Sequence, residues 1–153
     1  MEDMLQYIQD ILDLVEYCNG PSTSEWGSKR AAAGHPEPFN LEYIGIGNED
    51  HITPEFEARF KMIYEAVKDK YPEITVVGTA GPGEAGKDYE EGWKIARKLG
   101  VPVVDEHYYK GWGWFLENSI ATIVILVEVQ RCTLRNMPRG EAHWRTRWPR
   151  RST

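Results

Sequence analysis

The chain has 153 residues, of which 41% are hydrophobic and 27% are charged. This composition is typical of a soluble globular protein rather than a disordered one, and the length allows one domain with a real core. No apolar run reaches the roughly 18 residues that a transmembrane helix needs, so no membrane partner is expected. Residues 1–3 lead into a predicted helix without a signal-peptide pattern. Because an upstream segment could be missing, the compartment stays open.

The two cysteines, Cys18 and Cys132, are far apart in the sequence and form neither a metal-ligand motif nor a disulfide framework. Small buried or incidental thiols are the expected explanation. The sequence therefore predicts no metal site and no cofactor.

Charge is divided unevenly along the chain. Residues 1–118 carry 11 basic and 22 acidic side chains, for a net charge of −11. Residues 119–153 carry 7 basic and 2 acidic side chains, for a net charge of +5, and all seven basic residues are arginine. Such an asymmetry is typical of an interaction tail and marks a boundary near residue 118.

The chain begins with a predicted amphipathic helix over residues 3–17, because apolar residues recur there at three- and four-residue steps. Asn19-Gly20-Pro21 is a typical helix stop. Residues 20–40 are polar and are predicted to form a long excursion, and loops of that length are usually functional or disordered. A surface loop pinned by Trp26 is the alternative.

Short apolar strands alternate with helices in the next part of the chain. The strands are predicted at residues 41–47, 74–77 and 101–104. Thr53 is a plausible N-cap of the first intervening helix, with Pro54 at its first position. Each intervening helix has one apolar face, formed in the first by Phe56, Phe60, Ile63 and Val67 and in the second by Tyr89, Trp93, Ala96 and Leu99. A cap at Gly100 is predicted to end the second helix.

This alternation predicts an α/β fold with a parallel sheet covered by helices, either a (β/α)8 barrel or a doubly wound sheet. Right-handed crossovers place the carboxyl ends of all three strands at one side, where the active sites of barrels lie. The strand ends carry Asn48-Glu49, Thr79 and residues 106–109, a set of acids, histidine and tyrosines that suits sugar or carbonyl chemistry. The aromatic residues just beyond either stack on a sugar or pack under the loop: Trp112, Trp114 and Phe115.

Four segments together resemble the α-L-arabinofuranosidases of glycoside hydrolase family 51. They are EYCNG (residues 16–20), WGSKRAAAGHPEPFN (26–40), YIGIGNE (43–49) and DEHYY (105–109). The resemblance spans essentially residues 4–118. A lone Asn-Glu pair would be a weak signal, because many sugar hydrolases with barrel folds share it.

The resemblance implies a retaining hydrolase on a (β/α)8 TIM barrel, of which residues 1–118 would supply about three βα units, roughly strands four to six. It implies that Glu49 is the acid/base residue and that Asn48 binds the 2-hydroxyl of the sugar. His107 and Tyr109 match a His-x-Tyr motif after strand six and are expected to be substrate-binding residues. The tyrosine of that motif also holds the nucleophile. The nucleophile itself belongs to strand seven, and none is recognised in this chain.

The chemistry of a retaining enzyme needs two carboxyl groups about 5–5.5 Å apart. Glu49 as an acid needs a raised pKa, which partial burial and the neighbouring nucleophile carboxylate are expected to supply. Asp50 and His51 match no essential family position and are interpreted as loop residues.

After Asn118 the resemblance ends. Residues 119–153 are predicted to be a divergent tail that was translated in a shifted reading frame. The genetic code allows a check: from Ser119 onward, the third base of each codon is joined to the first two bases of the next codon. The codons formed in this way permit a family-like sequence that ends in Val-Tyr-Ala-Ala-Glu-Tyr-Ala. Glu128 and Glu141, the acids of the tail, lie in no family-like context. The competing hypothesis is a native basic tail for nucleic acid or a partner, but it lacks a nucleic-acid motif.

The expected function of the parent protein is release of terminal α-L-arabinofuranosyl units from arabinose-containing oligo- or polysaccharides. With three of eight strands and no nucleophile, this chain is predicted to be inactive and to have open sheet edges. Two alternatives stay open, namely another retaining barrel hydrolase such as a xylanase or endoglucanase, and a non-catalytic sugar-binding or interaction module. Linkage preference is undetermined, as is the oligomeric state, for which a homo-oligomeric parent enzyme is one option.

Overall fold

The computed structural model describes residues 2–118; the predicted tail over 119–153 lies outside them. Helices and strands alternate in the order α1 (Glu2–Asn19), α2 (Glu25–Ala32), β1 (Tyr43–Gly45), α3 (Pro54–Lys70), β2 (Thr75–Thr79), α4 (Lys87–Leu99), β3 (Val103–Asp105) and α5 (Trp112–Glu117). The predicted alternation after residue 40 is confirmed, with strand ends shifted by one or two residues. Within the described residues, no helix has the length and apolar character needed to cross a membrane.

The three strands form one parallel sheet in the order β1-β2-β3. Ile44 of β1 lies opposite Val76 of β2, and Val77 of β2 lies opposite Val103 of β3. The predicted α/β class with a parallel sheet is therefore confirmed. Because the strands are parallel, their carboxyl ends lie along one edge, which brings the chain segments after them together.

The core lies between α1, α3, α4 and the central strand. Its fully buried members include Val15 of α1, Val67 of α3 and Val76 of β2. Each fully buried aliphatic side chain contributes roughly 1.5–3 kcal/mol of hydrophobic stabilisation. The edge strand β1 is less covered, since Tyr43 is 57% exposed.

The predicted ends of two helices are confirmed. The Thr53 hydroxyl accepts a hydrogen bond from the Phe56 backbone N–H at 3.2 Å, and Pro54 occupies the first turn of α3. Helix α4 ends at Gly100, whose φ of 71° lies in the left-handed region that favours glycine.

The prediction of an uninterrupted excursion over residues 20–40 is wrong, because α2 lies inside it. Ser24 caps this helix by accepting a hydrogen bond from the Gly27 backbone N–H at 3.1 Å. Its buried residues are Gly27 and Arg30 rather than a row of large apolar side chains. A pattern search for apolar periodicity therefore misses it, although the Ser24 cap and the basic last turn are recognisable signals.

Arg30 is fully buried and organises the segment around α2. Its guanidinium donates to five backbone carbonyl oxygens, those of Tyr17, Cys18, Gly20, His35 and Pro36, at 2.8–3.4 Å. Three of these carbonyls lie at the carboxyl end of α1, where the helix dipole favours a cation. The same helix end is joined to the chain before β1 by Asn19, which exchanges two hydrogen bonds with the Leu41 backbone at 2.7 and 2.8 Å. Arg30 thus joins the end of α1 to the segment after α2, and Asn19 joins the same helix end to the chain that leads into β1.

Candidate active site at the strand carboxyl ends

A tight turn carries Asn48 and Glu49 away from β1. The Ile46 backbone N–H still bonds to the Val77 carbonyl at 2.9 Å, and the chain then turns at Gly47, whose φ is 87°. A Cβ atom at Gly47 would lie 2.7 Å from Cγ2 of Thr79. Only glycine fits this position, for both backbone and steric reasons.

Thr79 and Asp50 hold the turn from two sides. The buried Thr79 hydroxyl donates to the Asn48 carbonyl and accepts from the Gly81 backbone N–H at 3.0 Å. The Asp50 carboxylate accepts from the Asn48 backbone N–H at 2.8 Å. Thr79 and Asp50 therefore fix the backbone under Glu49, while Asn48 itself is exposed.

The structure brings three of the four predicted site residues into contact. His107 Nδ1 lies 2.8 Å from Oε1 of Glu49, and the Tyr109 hydroxyl donates to the same oxygen. On its other side, His107 Nε2 lies 3.1 Å from Oδ2 of Asp105. The imidazole is thus held between two carboxylates, with its side chain 19% exposed. The fourth residue, Asn48, precedes Glu49 in the same turn, and its backbone is hydrogen-bonded to Asp50 and Thr79 rather than to the cluster.

The protonation equilibria of the cluster favour an ionised Glu49. The hydrogen bond from Tyr109 and then that from His107 lower the pKa of the Glu49 carboxyl. The hydrogen bonds to Glu49 and Asp105 raise the pKa of His107, and the bond to Glu49 raises the pKa of Tyr109. The sequence predicts a rise of the Glu49 pKa from partial burial and a neighbouring nucleophile carboxylate; with Tyr109 and His107 as donors the shift is downward instead. Donors surround a carboxylate that is still open to solvent, and they outweigh its desolvation.

A third carboxylate, Glu106, lies beside this cluster; the sequence places it among the strand-end acids without assigning it a specific role. Its Oε1 accepts from the Tyr89 hydroxyl at 2.8 Å and from Nε1 of Trp93 at 2.5 Å, and its Oε2 accepts from the Tyr108 hydroxyl at 2.5 Å. Burial and the Glu106 carboxylate raise the pKa of Tyr89 to about 12 and also raise that of Tyr108. No local sequence pattern reveals this group, because two of its donors come from a helix 13 and 17 residues away.

The aromatic residues after the strand-end loop divide between packing and exposure. Trp114 lies with its ring centroid 5.6 Å from that of Tyr108 and 5.3 Å from that of Phe115. Trp112 is 89% exposed. Of the two interpretations left open by the sequence, packing applies to Trp114, whereas Trp112 presents a free face.

His51 and Asp88 join the loop after Glu49 to the start of α4. His51 Nδ1 lies 2.9 Å from Oδ2 of Asp88, whose other oxygen accepts from the Ile52 backbone N–H at 2.8 Å. These contacts give His51 a connecting role within the loop. Among residues 2–118, no group of three or more His, Cys, Asp or Glu side chains is arranged to hold a metal ion.

The sequence matches known proteins over most of its described part. The family model described as "Alpha-L-arabinofuranosidase 1 domain" matches residues 1–121. The "Extracellular exo-alpha-L-arabinofuranosidase" of Streptomyces chartreusis is 48% identical over 114 residues, which are 74% of this chain and 14% of the relative. "Alpha-L-arabinofuranosidase 2" of Arabidopsis thaliana is 37% identical over 92 residues, which are 58% of this chain and 14% of the relative.

Solved structures show the same fold. A family 51 alpha-L-arabinofuranosidase from Bifidobacterium longum superposes with a TM-score of 0.65 at 22% identity, over 82% of this chain and 29% of that one. The thermostable GH51 alpha-L-arabinofuranosidase from Thermotoga petrophila gives 0.61 at 22% identity, over 82% and 28%. The chain spans about one seventh of the curated relatives named above. On the family match over residues 1–121, the chain belongs to the α-L-arabinofuranosidase family.

Proposed function

We propose that this chain is the acid/base part of a retaining hydrolase that releases terminal α-L-arabinofuranosyl units from arabinose-containing oligo- or polysaccharides. The observation that supports it best is the cluster at the strand carboxyl ends, where His107 and Tyr109 both contact Glu49. In this proposal Glu49 first donates a proton to the glycosidic oxygen and then, as a carboxylate, activates water. Asn48 binds the 2-hydroxyl of the sugar.

The lowered pKa of Glu49 in this chain favours the carboxylate form, which is the form that activates water in the second step. For the first step the carboxyl group must hold a proton, so its pKa must rise when the site is complete. Tyr109 provides a route, because it is also the residue expected to hold the nucleophile. A nucleophile carboxylate that takes the Tyr109 hydroxyl removes the first cause of the lowered pKa and adds a like charge near Glu49.

The chain by itself is proposed to lack hydrolytic activity. Asp105 is connected to Glu49 through the imidazole of His107, which lies between the two carboxylates. Asp105 is therefore unsuited to attack a sugar that Glu49 protonates. A retaining mechanism needs a second carboxyl group facing Glu49 across the scissile bond.

The β1-β2-β3 sheet with its helices is proposed to be a segment of a (β/α)8 barrel, corresponding to strands four to six. In support, the strands are parallel and follow one another in chain order, as neighbouring strands of a barrel do. Residues 1–118 are proposed as this catalytic segment, and residues 119–153 as a divergent tail produced by a change of reading frame.

A chimera tests the proposed function. Residues 1–118 of this chain replace the matching segment of the Streptomyces chartreusis relative, and hydrolysis of p-nitrophenyl α-L-arabinofuranoside is measured. The chimera is expected to hydrolyse the substrate and to release arabinose whose anomeric configuration, followed by NMR, is retained. The 153-residue chain alone is expected to give no hydrolysis. A folded but inactive chimera, or an inverted product, contradicts the proposal.

Exposed Trp112 favours a second candidate for the chain as it stands, a non-catalytic sugar-binding module, because a free aromatic face is a usual platform for a sugar ring. Calorimetric titration of the chain with arabinose oligomers checks it. Binding that is lost in Trp112→Ala but kept in Phe115→Ala supports this role, and absence of any heat of binding argues against it.

A further inference from the structure

The segment of residues 105–110, which begins with the last residue of β3, has two chemically different faces. Its odd-numbered side chains lie toward Glu49, and its even-numbered ones lie toward α4 and the turn before it. The contacts therefore alternate along the segment, as they do where successive side chains point to opposite sides of the backbone. Contacts that hold the even-numbered side chains in place therefore also set the direction of the odd-numbered side chains.

The even-numbered face is fixed mainly through Glu106. Tyr89 and Trp93 lie four residues apart on α4, so both reach the same side of the helix and meet at Oε1 of Glu106. Tyr108 donates to the other carboxylate oxygen at 2.5 Å. Further along, Lys110 forms an ion pair with Glu84 at 2.6 Å. Glu106 is the member of this face that joins the segment directly to α4.

We propose that Glu106 is a positioning residue, which fixes the 105–110 segment on α4 so that His107 and Tyr109 hold Glu49 in place. Its carboxylate has two acceptor oxygens and receives three donors, an arrangement that a shorter or apolar side chain cannot reproduce. Glu106 acts through its neighbours and does not contact Glu49. This role rests on the proposed function for its catalytic meaning, but the contacts themselves exist without hydrolysis.

Two substitutions separate position from charge. Glu106→Gln removes the charge, yet its amide oxygen still accepts from Tyr89 and Trp93, and its amide N–H can donate to the Tyr108 oxygen. Glu106→Ala removes all three contacts. If Glu106 positions the segment, Gln preserves the contact between His107 and Glu49 and Ala loses it. If Glu106 acts by charge, the two variants behave alike.

The pKa of His107 reports the contact, because Glu49 and Asp105 are the groups that raise it. It is measured by NMR titration of the full 153-residue chain, with the His107 signal identified by its loss in His107→Asn. The expected result is a lower His107 pKa in Glu106→Ala and a value close to that of the original chain in Glu106→Gln. Glu91→Gln on α4, which alters an exposed ion pair with Lys94, is the matched control and leaves His107 unchanged.

A His107 pKa that is unchanged in Glu106→Ala, or lowered equally in Ala and Gln, overturns the positioning role. Should Glu106→Ala fail to fold by circular dichroism, the double variant Tyr89→Phe/Tyr108→Phe decides. It keeps both rings and removes two of the three donors, so the His107 pKa is expected to fall, and an unchanged value overturns the role. Because no substrate is used, an inactive chimera contradicts the proposed function without affecting this result.

Discussion

Arg30→Met is expected to destabilise the fold more than any exposed substitution nearby. The guanidinium is fully buried and donates to five backbone carbonyls, four of them at 2.8–3.0 Å. A buried polar group left without a partner costs about 1–3 kcal/mol. If water reaches three of the five carbonyls and two stay unpaired, the loss is about 2–6 kcal/mol. That is a large part of the roughly 5–15 kcal/mol by which a domain is stable.

Urea unfolding followed by circular dichroism measures this loss, with Lys29→Met as the matched control. Lys29 precedes Arg30 on α2, but its side chain is 49% exposed and its ion pair with Glu25 is 3.5 Å long. The control is expected to change the free energy of unfolding by about 0.5 kcal/mol or less. Arg30→Lys should lie between the two, since an ammonium group lacks the planar fork. Equal unfolding midpoints for Arg30→Met and Lys29→Met would refute the reasoning.

Two further predictions concern the site. Gly47→Ala should destabilise the chain by about 1–3 kcal/mol from backbone strain, and the steric contact of the new Cβ with Thr79 should add to this loss. Gly34→Ala is the control, because Gly34 has a similar φ but open space around the position of a Cβ atom, so it should show the backbone strain alone. Equal losses of unfolding free energy in urea would contradict this. Protonated His107 stabilises the fold below its unfolded pKa of about 6.5, and this contribution is lost as pH rises through the raised folded value. His107→Asn should therefore flatten the decline of unfolding free energy above about pH 6.5, and an unchanged profile would contradict this.

The parts of the fold that repeat a simple period were predictable from the sequence. Helix α3 shows both its apolar face and its cap at Thr53, and the strand ends follow from the alternation of strands and helices. Helix α2 was missed because its buried face consists of Gly27 and an arginine, which apolar periodicity does not detect. Its stability depends on carbonyls at the end of another helix, a tertiary arrangement that local patterns do not contain.

The contacts of the site were predictable only in part. Parallel topology places Glu49 and His107 on the same side of the sheet, although β2 lies between their strands. In the structure His107 Nδ1 lies 2.8 Å from Oε1 of Glu49. The direction of the Glu49 pKa did not follow, because it depends on which donors reach the carboxylate in the folded chain. The role proposed for Glu106 depends on side chains from α4, whose distance in sequence conceals them.

The frame change proposed after Asn118 has a direct check outside the structure. Sequencing the gene and its transcript across the Asn118 codon should reveal a missing or extra base whose correction restores a family-like strand. An intact reading frame in both would contradict the proposal.

The measurement that tests the central role of Glu49 most directly is the activity of Glu49→Gln in the Streptomyces chimera, with Glu55→Gln as the control. Glutamine cannot donate or accept the catalytic proton, so the rate should fall by about 10²–10⁴-fold. The loss should be greater for an arabinan oligosaccharide than for the p-nitrophenyl substrate, whose leaving group needs less protonation. Glu55 occupies an exposed position in the first turn of α3, so the Glu55→Gln chimera should retain its activity. Equal activities of the two variants would contradict the assignment of Glu49 as the acid/base residue.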